Sequence, residues 1–183
     1  MKTRKPEWLL TADEAQIEGI HDTLKRLLAA IQSWAKAEDA ALDARIETFM
    51  RANGGTIPEG YDGFSDDDYS IRETERIMFA GLAVAIASAA ELFCKPFVQK
   101  LKDAGTTKDA ATAELAKMPR HSNYNRARIL GNCFKHSKGN VSQEYVENYD
   151  DGRKKGNKID YRAENWASII DGLCPFLLQV SGT

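Results

Sequence analysis

Between Glu114 and Glu144 the chain carries no acidic residue, yet Lys117, Arg120, Arg126, Arg128, Lys135 and Lys138 lie there, with His121 and His136. Six fixed positive charges in one short window of a chain whose formal net charge is −2 form the electrostatic footprint expected for a phosphate backbone. At 100° per residue, a helix over 123–136 gathers Asn125, Arg128, Asn132 and His136 within an arc of about 80° and turns Ala127, Leu130 and Phe134 to the other side. That stripe has chemistry in it. A histidine gives or takes a proton near neutral pH, Arg128 or Lys135 can hold fixed charge against a developing oxyanion, and Asn132 can orient the imidazole or the phosphate. Arg126, Lys138, Arg120, Asn125 and His121 would supply the surrounding phosphate contacts. An ordinary helix end explains part of the pattern, because cations pair with the free carbonyls at a C-terminus and Gly139 is a usual left-handed cap. It accounts for Lys135, His136 and Lys138, but not for Arg128 or Asn132.

Other candidates weigh less. Asp66, Asp67 and Asp68 lack the glycine and terminal glutamate of a calcium loop and read as a solvated loop. Glu91 reads as a helix-surface carboxylate, with a buried partnership to the histidine-bearing helix as the alternative, and His21 reads as a surface residue. Cys94, Cys133 and Cys174 lie about 40 residues apart with no CxxC pair, so neither a disulfide framework nor a zinc site is expected. No metal and no cofactor is called for, and no glycine-rich phosphate loop, HExxH or GxSxG occurs.

The elements that must position the stripe are helical. Ala occurs 24 times and Val 5 times, which favours helix over sheet, and 43% hydrophobic residues in 183 suffice for one domain with a core. Thr11-Ala12-Asp13-Glu14 is a capping box, after which apolar residues recur at three- and four-residue steps from Ile17 to Phe49, a helix of more than 35 residues. The Gly- and Asp-rich stretch 54–69 reads as a loop. A second helix is expected over about 70–101, kinked at Pro96, and a third over 108–117. Ser122 would cap the fourth, over 123–136. Alternation in 140–161 could form a short β-hairpin, and a last helix runs over about 162–180, bent at Pro175. The expected class is all-α: a four- or five-helix bundle in a single domain, with residues 1–69 as long helix and loop and 70–183 as the core.

The longest uncharged apolar stretch, Ile77 to Ala90, is 14 residues, short of the roughly 20 that span a membrane, and the basic N-terminus has no secretory-signal pattern. A cytoplasmic protein without a membrane anchor is therefore expected. The near-neutral charge excludes a globally basic nucleic-acid binder and leaves the local patch.

The run from Arg128 to Asn140, RILGNCFKHSKGN, preceded by the Ala-rich helix AVAIASAAELFCKPF, resembles the HEPN domains (higher eukaryotes and prokaryotes nucleotide-binding), over roughly residues 70–180. Asn132, Lys135 and His136 match the Asn-x-x-Lys-His form of the family's motif. The resemblance implies an all-helical homodimer that binds RNA or a nucleotide. In the active branch two motifs meet as a metal-independent endoribonuclease, often in toxin–antitoxin or phage-defence systems with an antitoxin partner. It assigns His136, Asn132, Arg128 and Lys135 to catalysis, while Arg126, Lys138, Arg120, Asn125 and His121 are RNA contacts on the strength of the basic window alone. Two departures stand out. Gly131 occupies the position of the expected arginine, and Arg128 lies seven intervening residues from His136, eight residues of helix or about 12 Å of rise. The alternative these leave is a catalytically inactive dimeric module that binds a partner protein or a regulatory nucleotide.

Overall fold

The computed structural model describes residues 12–149 and 151–182. Six α-helices follow in chain order: α1 (Ala12–Ala52), α2 (Gly63–Asp103), α3 (Lys108–Lys117), α4 (His121–Ser137), α5 (Gln143–Asn148) and α6 (Trp166–Gly182), with a 3-10 turn at Tyr161–Ala163 before the last. The protein is all-α, with a long N-terminal helix and no strand among the described residues. Thr11, the expected cap of α1, lies outside them.

In α1 the buried positions Ile17, Leu24, Leu28, Ile31, Ala35 and Leu42 step by three, four or seven residues. That spacing keeps one seam pointed at α2 and α6 along most of its length. His21, expected at the surface, is part-exposed there and has partners. Its Nε2 lies 3.2 Å from Asp171 of α6, which also pairs with Lys25 at 2.8 Å, so the seam ends in a charged clasp.

α2 packs on α1, α3, α4 and α6. Ala80, Ala83 and Ala90 have no exposed surface, and their small side chains let neighbouring helices approach closely. The helix begins at Gly63, seven residues before the expected Ser70, so the three aspartates are helical rather than a loop. Carboxylates near a helix start are favoured by the macrodipole, and here Asp67 pairs with Arg45 of α1 at 3.1 Å and Asp68 with Arg72 at 3.2 Å. The helix runs unbroken through Pro96, as α6 does through Pro175. Although the uncharged stretch counts only 14 residues, an 18-residue window of α2 reaches a mean hydropathy of 2.0, and half of that window is buried in the bundle.

The region expected to form a hairpin holds α5 and a single antiparallel bridge, Asn140 to Lys158. Val141 donates to the Asn157 carbonyl and Gly156 to that of Val141, which closes the loop across its base without extending into strands. Ser142 takes the hydrogen bond of the Tyr145 backbone N–H and so starts a helix inside the would-be strand. Cys94 and Cys133 are buried, Cys174 is half-buried, and none of the three is joined in a disulfide among the described residues.

Candidate functional site

α4 is sorted into faces much as its periodicity requires. Ala127, Ile129, Leu130 and Cys133 have no exposed surface, each larger apolar side chain contributing about 1.5–3 kcal/mol, while Asn125, Arg128, Asn132 and His136 keep solvent contact. Gly131 is where α4 crosses α2. A Cβ built on it would lie 3.4 Å from Val84 Cα and 3.5 Å from the Ala83 carbonyl, so anything longer than a methyl group would enter the α2 backbone. The arginine missing from this position is therefore excluded by packing as well as by sequence.

The helix begins two residues earlier than expected, at His121. Its cap is Arg120, in a left-handed conformation with φ 69°, rather than Ser122. Its other end is closed by Lys138, also left-handed with φ 55°, and Gly139, φ 79°. Non-glycine residues in that region carry strain on the order of 1–3 kcal/mol. Gly139 cannot be replaced freely, because L side chains rarely adopt its φ of 79°.

The cations of the window divide into two groups. Lys117 pairs with Glu114 at 2.6 Å. Arg126 turns inward: its Nε and Nη2 donate to Glu164 at 3.0 and 2.6 Å, Nη2 donates to the Tyr145 hydroxyl at 2.9 Å, and the guanidinium lies 4.0 Å from the Tyr149 ring centroid. Burial opposes the charge of Arg126, but the Glu164 carboxylate and Tyr145 outweigh it and hold its pKa above the ordinary value. Arg126, an expected RNA contact, is thus held in an ion pair with Glu164.

Arg128 likewise points away from His136. Its Nε and Nη2 donate to Asn125 Oδ1 one turn towards the N-terminus, at 3.2 and 2.9 Å, and Nη2 donates to Glu144 at 2.5 Å. The other oxygen of Glu144 accepts from Asn132 Nδ2 at 3.4 Å. Glu144, on the first turn of α5, is the residue that sequence reasoning missed. The turn at Gly139 brings this first acid beyond the window back onto the stripe. His121 also faces inward, edge-on to Tyr124 and Phe176 with centroids 5.7 and 5.8 Å away, and burial together with the charge of Arg128 lowers its pKa.

The second group is free. Arg120, Lys135, His136 and Lys138 are exposed, and no partner of theirs lies among the described residues. Three of them fall within four positions at the C-terminal end of α4, where the negative end of the helix dipole favours cations. The structure thus joins Arg128, Asn125 and Asn132 through Glu144, and gathers Lys135, His136 and Lys138 beyond them. Among the described residues, no group of three or more His, Cys, Asp or Glu could hold a metal ion. Compared with protein-family models, curated proteins and solved structures, the chain finds no match in any of the three.

Proposed function

We propose that the chain is a cytoplasmic HEPN-like protein, of the toxin–antitoxin or phage-defence kind, that binds RNA or a nucleotide through the C-terminal end of α4. The observation that supports it is the set Lys135, His136 and Lys138, exposed and without a partner among the described residues while Arg126, Arg128 and Lys117 are each held by a carboxylate. Strain at Lys138 points the same way, since unfavourable backbone conformations concentrate where a function over-determines them. In this reading the five longer helices form the bundle and α5 is a clamp on its active face. The partner classes are a second copy and an antitoxin-like protein. A second copy has a place to dock: Ile77 and Leu92, 47% and 59% exposed, stand on one side of α2, flanking its uncharged centre.

Cleavage is the second reading, favoured by His136 lying on the Asn132 stripe with no partner among the described residues. The 2′-hydroxyl would attack the adjacent phosphorus as His136 takes its proton, with Lys135 or a released Arg128 balancing the phosphorane. The bond to the 5′-oxygen would then break as His136 returns the proton to that oxygen, leaving a cyclic phosphate and a 5′-hydroxyl. Arg128 is tied to Asn125 and Glu144 and Gly131 admits no arginine, which favours binding without cleavage. Wild type and His136→Ala, mixed with labelled RNA in EDTA, separate the two. Binding with intact RNA is expected from both proteins. Cyclic-phosphate ends that appear with wild type and fall on the order of 10²–10⁴-fold in the variant would replace it with the endoribonuclease, and no binding would reject both. Sedimentation showing only a 20.4 kDa species would reject the dimer.

A further inference from the structure

The loop that follows α5 folds back onto the end of α4. Lys158 is bridged antiparallel to Asn140, with Ile159 N–H donating to the Gly139 carbonyl at 3.1 Å and Val141 N–H to that of Asn157 at 2.7 Å. Because the flanking residues make the bonds, the opposed Cα atoms lie about 4.5 Å apart, which sets Lys158 beside the turn after Lys138. Lys154 and Lys155 are on the same loop, which Gly156 N–H ties to the Val141 carbonyl. All three lysines are exposed, and no side-chain partner of theirs lies among the described residues. Glu144 and Glu147 separate them from the acid-free window, so a count along the chain does not join them to it.

Arg76 of α2 closes the other side. Its guanidinium lies against the buried Gly139 and, with Glu73 and Lys158, lines a cavity of about 240 Å³. Nε donates to Glu73 at 2.8 Å and Nη2 at 2.5 Å, so the carboxylate grips one edge of the fork and fixes its direction. Nη1 has no partner among the described residues and is not enclosed, so solvent or ligand reaches it. A guanidinium already held in place loses less freedom on meeting a phosphate than a lysine does. The other two carboxylates on the cavity wall are engaged: Glu75 by Arg72 and Arg162, at 3.5 and 3.4 Å, and Asp160 by the Arg162 backbone N–H at 3.0 Å.

Cations therefore stand on both sides of Gly139, those of the α4 end and those of the loop, with Arg76 at the turn between. A terminal phosphate carries about −1.5 to −2 and leaves most of five lysines uncompensated, whereas a strand brings one charge with every phosphodiester. We propose that Arg76 and the 154–158 loop form the second wall of the anion site, so that it takes consecutive phosphates of an RNA strand rather than the phosphate group of a free nucleotide. The inference rests on the phosphate-binding reading of α4 and narrows its ligand.

The test titrates uridine monophosphate, uridine triphosphate and oligouridylates of two, four and eight nucleotides into the full chain by calorimetry, over a salt series. Affinity is expected to rise with each phosphodiester up to at least four nucleotides, with the triphosphate well below the octamer. Lys154→Gln with Lys158→Gln, both on the surface, should flatten the octamer's log–log salt slope by about 1.4, at about 0.7 per contact on a single strand. Arg76→Lys keeps the charge and loses the fixed fork, so it should weaken the octamer about tenfold with the slope unchanged, in a protein still folded by circular dichroism. If that variant unfolds, the loop variant decides. The proposal is overturned if the triphosphate binds as tightly as the octamer, if the loop variant keeps the wild-type slope, or if folded Arg76→Lys binds like wild type. An unchanged slope in the loop variant beside a flattened one in Lys135→Glu with Lys138→Glu rejects this wall and keeps the α4 reading, whereas no RNA binding by wild type rejects both.

Discussion

Gly131 is the position at which two substitutions should act in opposite directions. A glycine in the middle of a helix costs roughly 0.5–1 kcal/mol relative to alanine, through the backbone entropy lost on folding. The methyl group of Gly131→Ala would sit 3.4 Å from Val84 Cα and 3.5 Å from the Ala83 backbone, which is ordinary contact and requires no displacement. The variant should therefore be more stable by about 0.5–1 kcal/mol, a rise in Tm of about 1–4 °C for a chain of this length. Gly131→Arg would restore the arginine that the motif otherwise lacks, yet its Cγ and guanidinium would have to enter the α2 backbone. Overpacking alone costs about 1–3 kcal/mol, and a buried unpaired charge adds several more. Urea unfolding followed by far-UV circular dichroism reads both. Alanine that destabilises by more than about 1 kcal/mol, or arginine that folds with wild-type stability, would refute the account of the α2–α4 crossing.

The remaining expectations concern the charges around α4. Arg126→Ala strands Glu164, whose side chain is 9% exposed, and should cost about 3 kcal/mol in chemical denaturation even though Arg153 stands 3.8 Å away; a loss under about 1 kcal/mol would mean the pair is not structural. Glu144→Gln removes one negative charge from the stripe but keeps an acceptor for Arg128. It should change stability by no more than about 1 kcal/mol and steepen the dependence of log affinity for RNA on log salt by about one, as measured by fluorescence anisotropy. His121 has its pKa lowered from 6.5 by burial. The unfolded chain then binds the proton first on acidification, so this contribution is complete above about pH 6.5 and lost as the pH falls below it towards the folded value. His121→Phe should remove that part of the acid-side decline in the urea midpoint, and an unchanged decline would place the titration elsewhere.

Much of the helix pattern could be read from the sequence because it follows local rules. Helix α3 lies where expected, at 108–117, with Thr107 accepting from Ala110 N–H as its cap. The faces of α4 follow from residue spacing alone. The start of α2 was misplaced because aspartates favour turns and helix N-termini alike, and only the pairs with Arg45 and Arg72 decide between them. The cap of α4 was misplaced for a similar reason: Ser122 is the better local cap, but the chain turns at Arg120 instead. The site itself was legible only in part. A count of charges between Glu114 and Glu144 cannot register that Glu144 and Glu164 fold back onto Arg128 and Arg126, because that neutralisation belongs to tertiary structure. The absence of an arginine at 131 was visible in the sequence, whereas the reason for it, contact with the α2 backbone, was not.

The central claim is that Lys135, His136 and Lys138 form the phosphate-binding end of α4. The most direct measurement is RNA affinity across a salt series for wild type and for Lys135→Glu with Lys138→Glu, leaving Arg126 and Arg128 in their ion pairs. Affinity should fall steeply and linearly in log–log form for wild type, and the double variant should show weaker binding with a slope flatter by about two. Salt-independent binding by wild type, or the same slope in the variant, would contradict it.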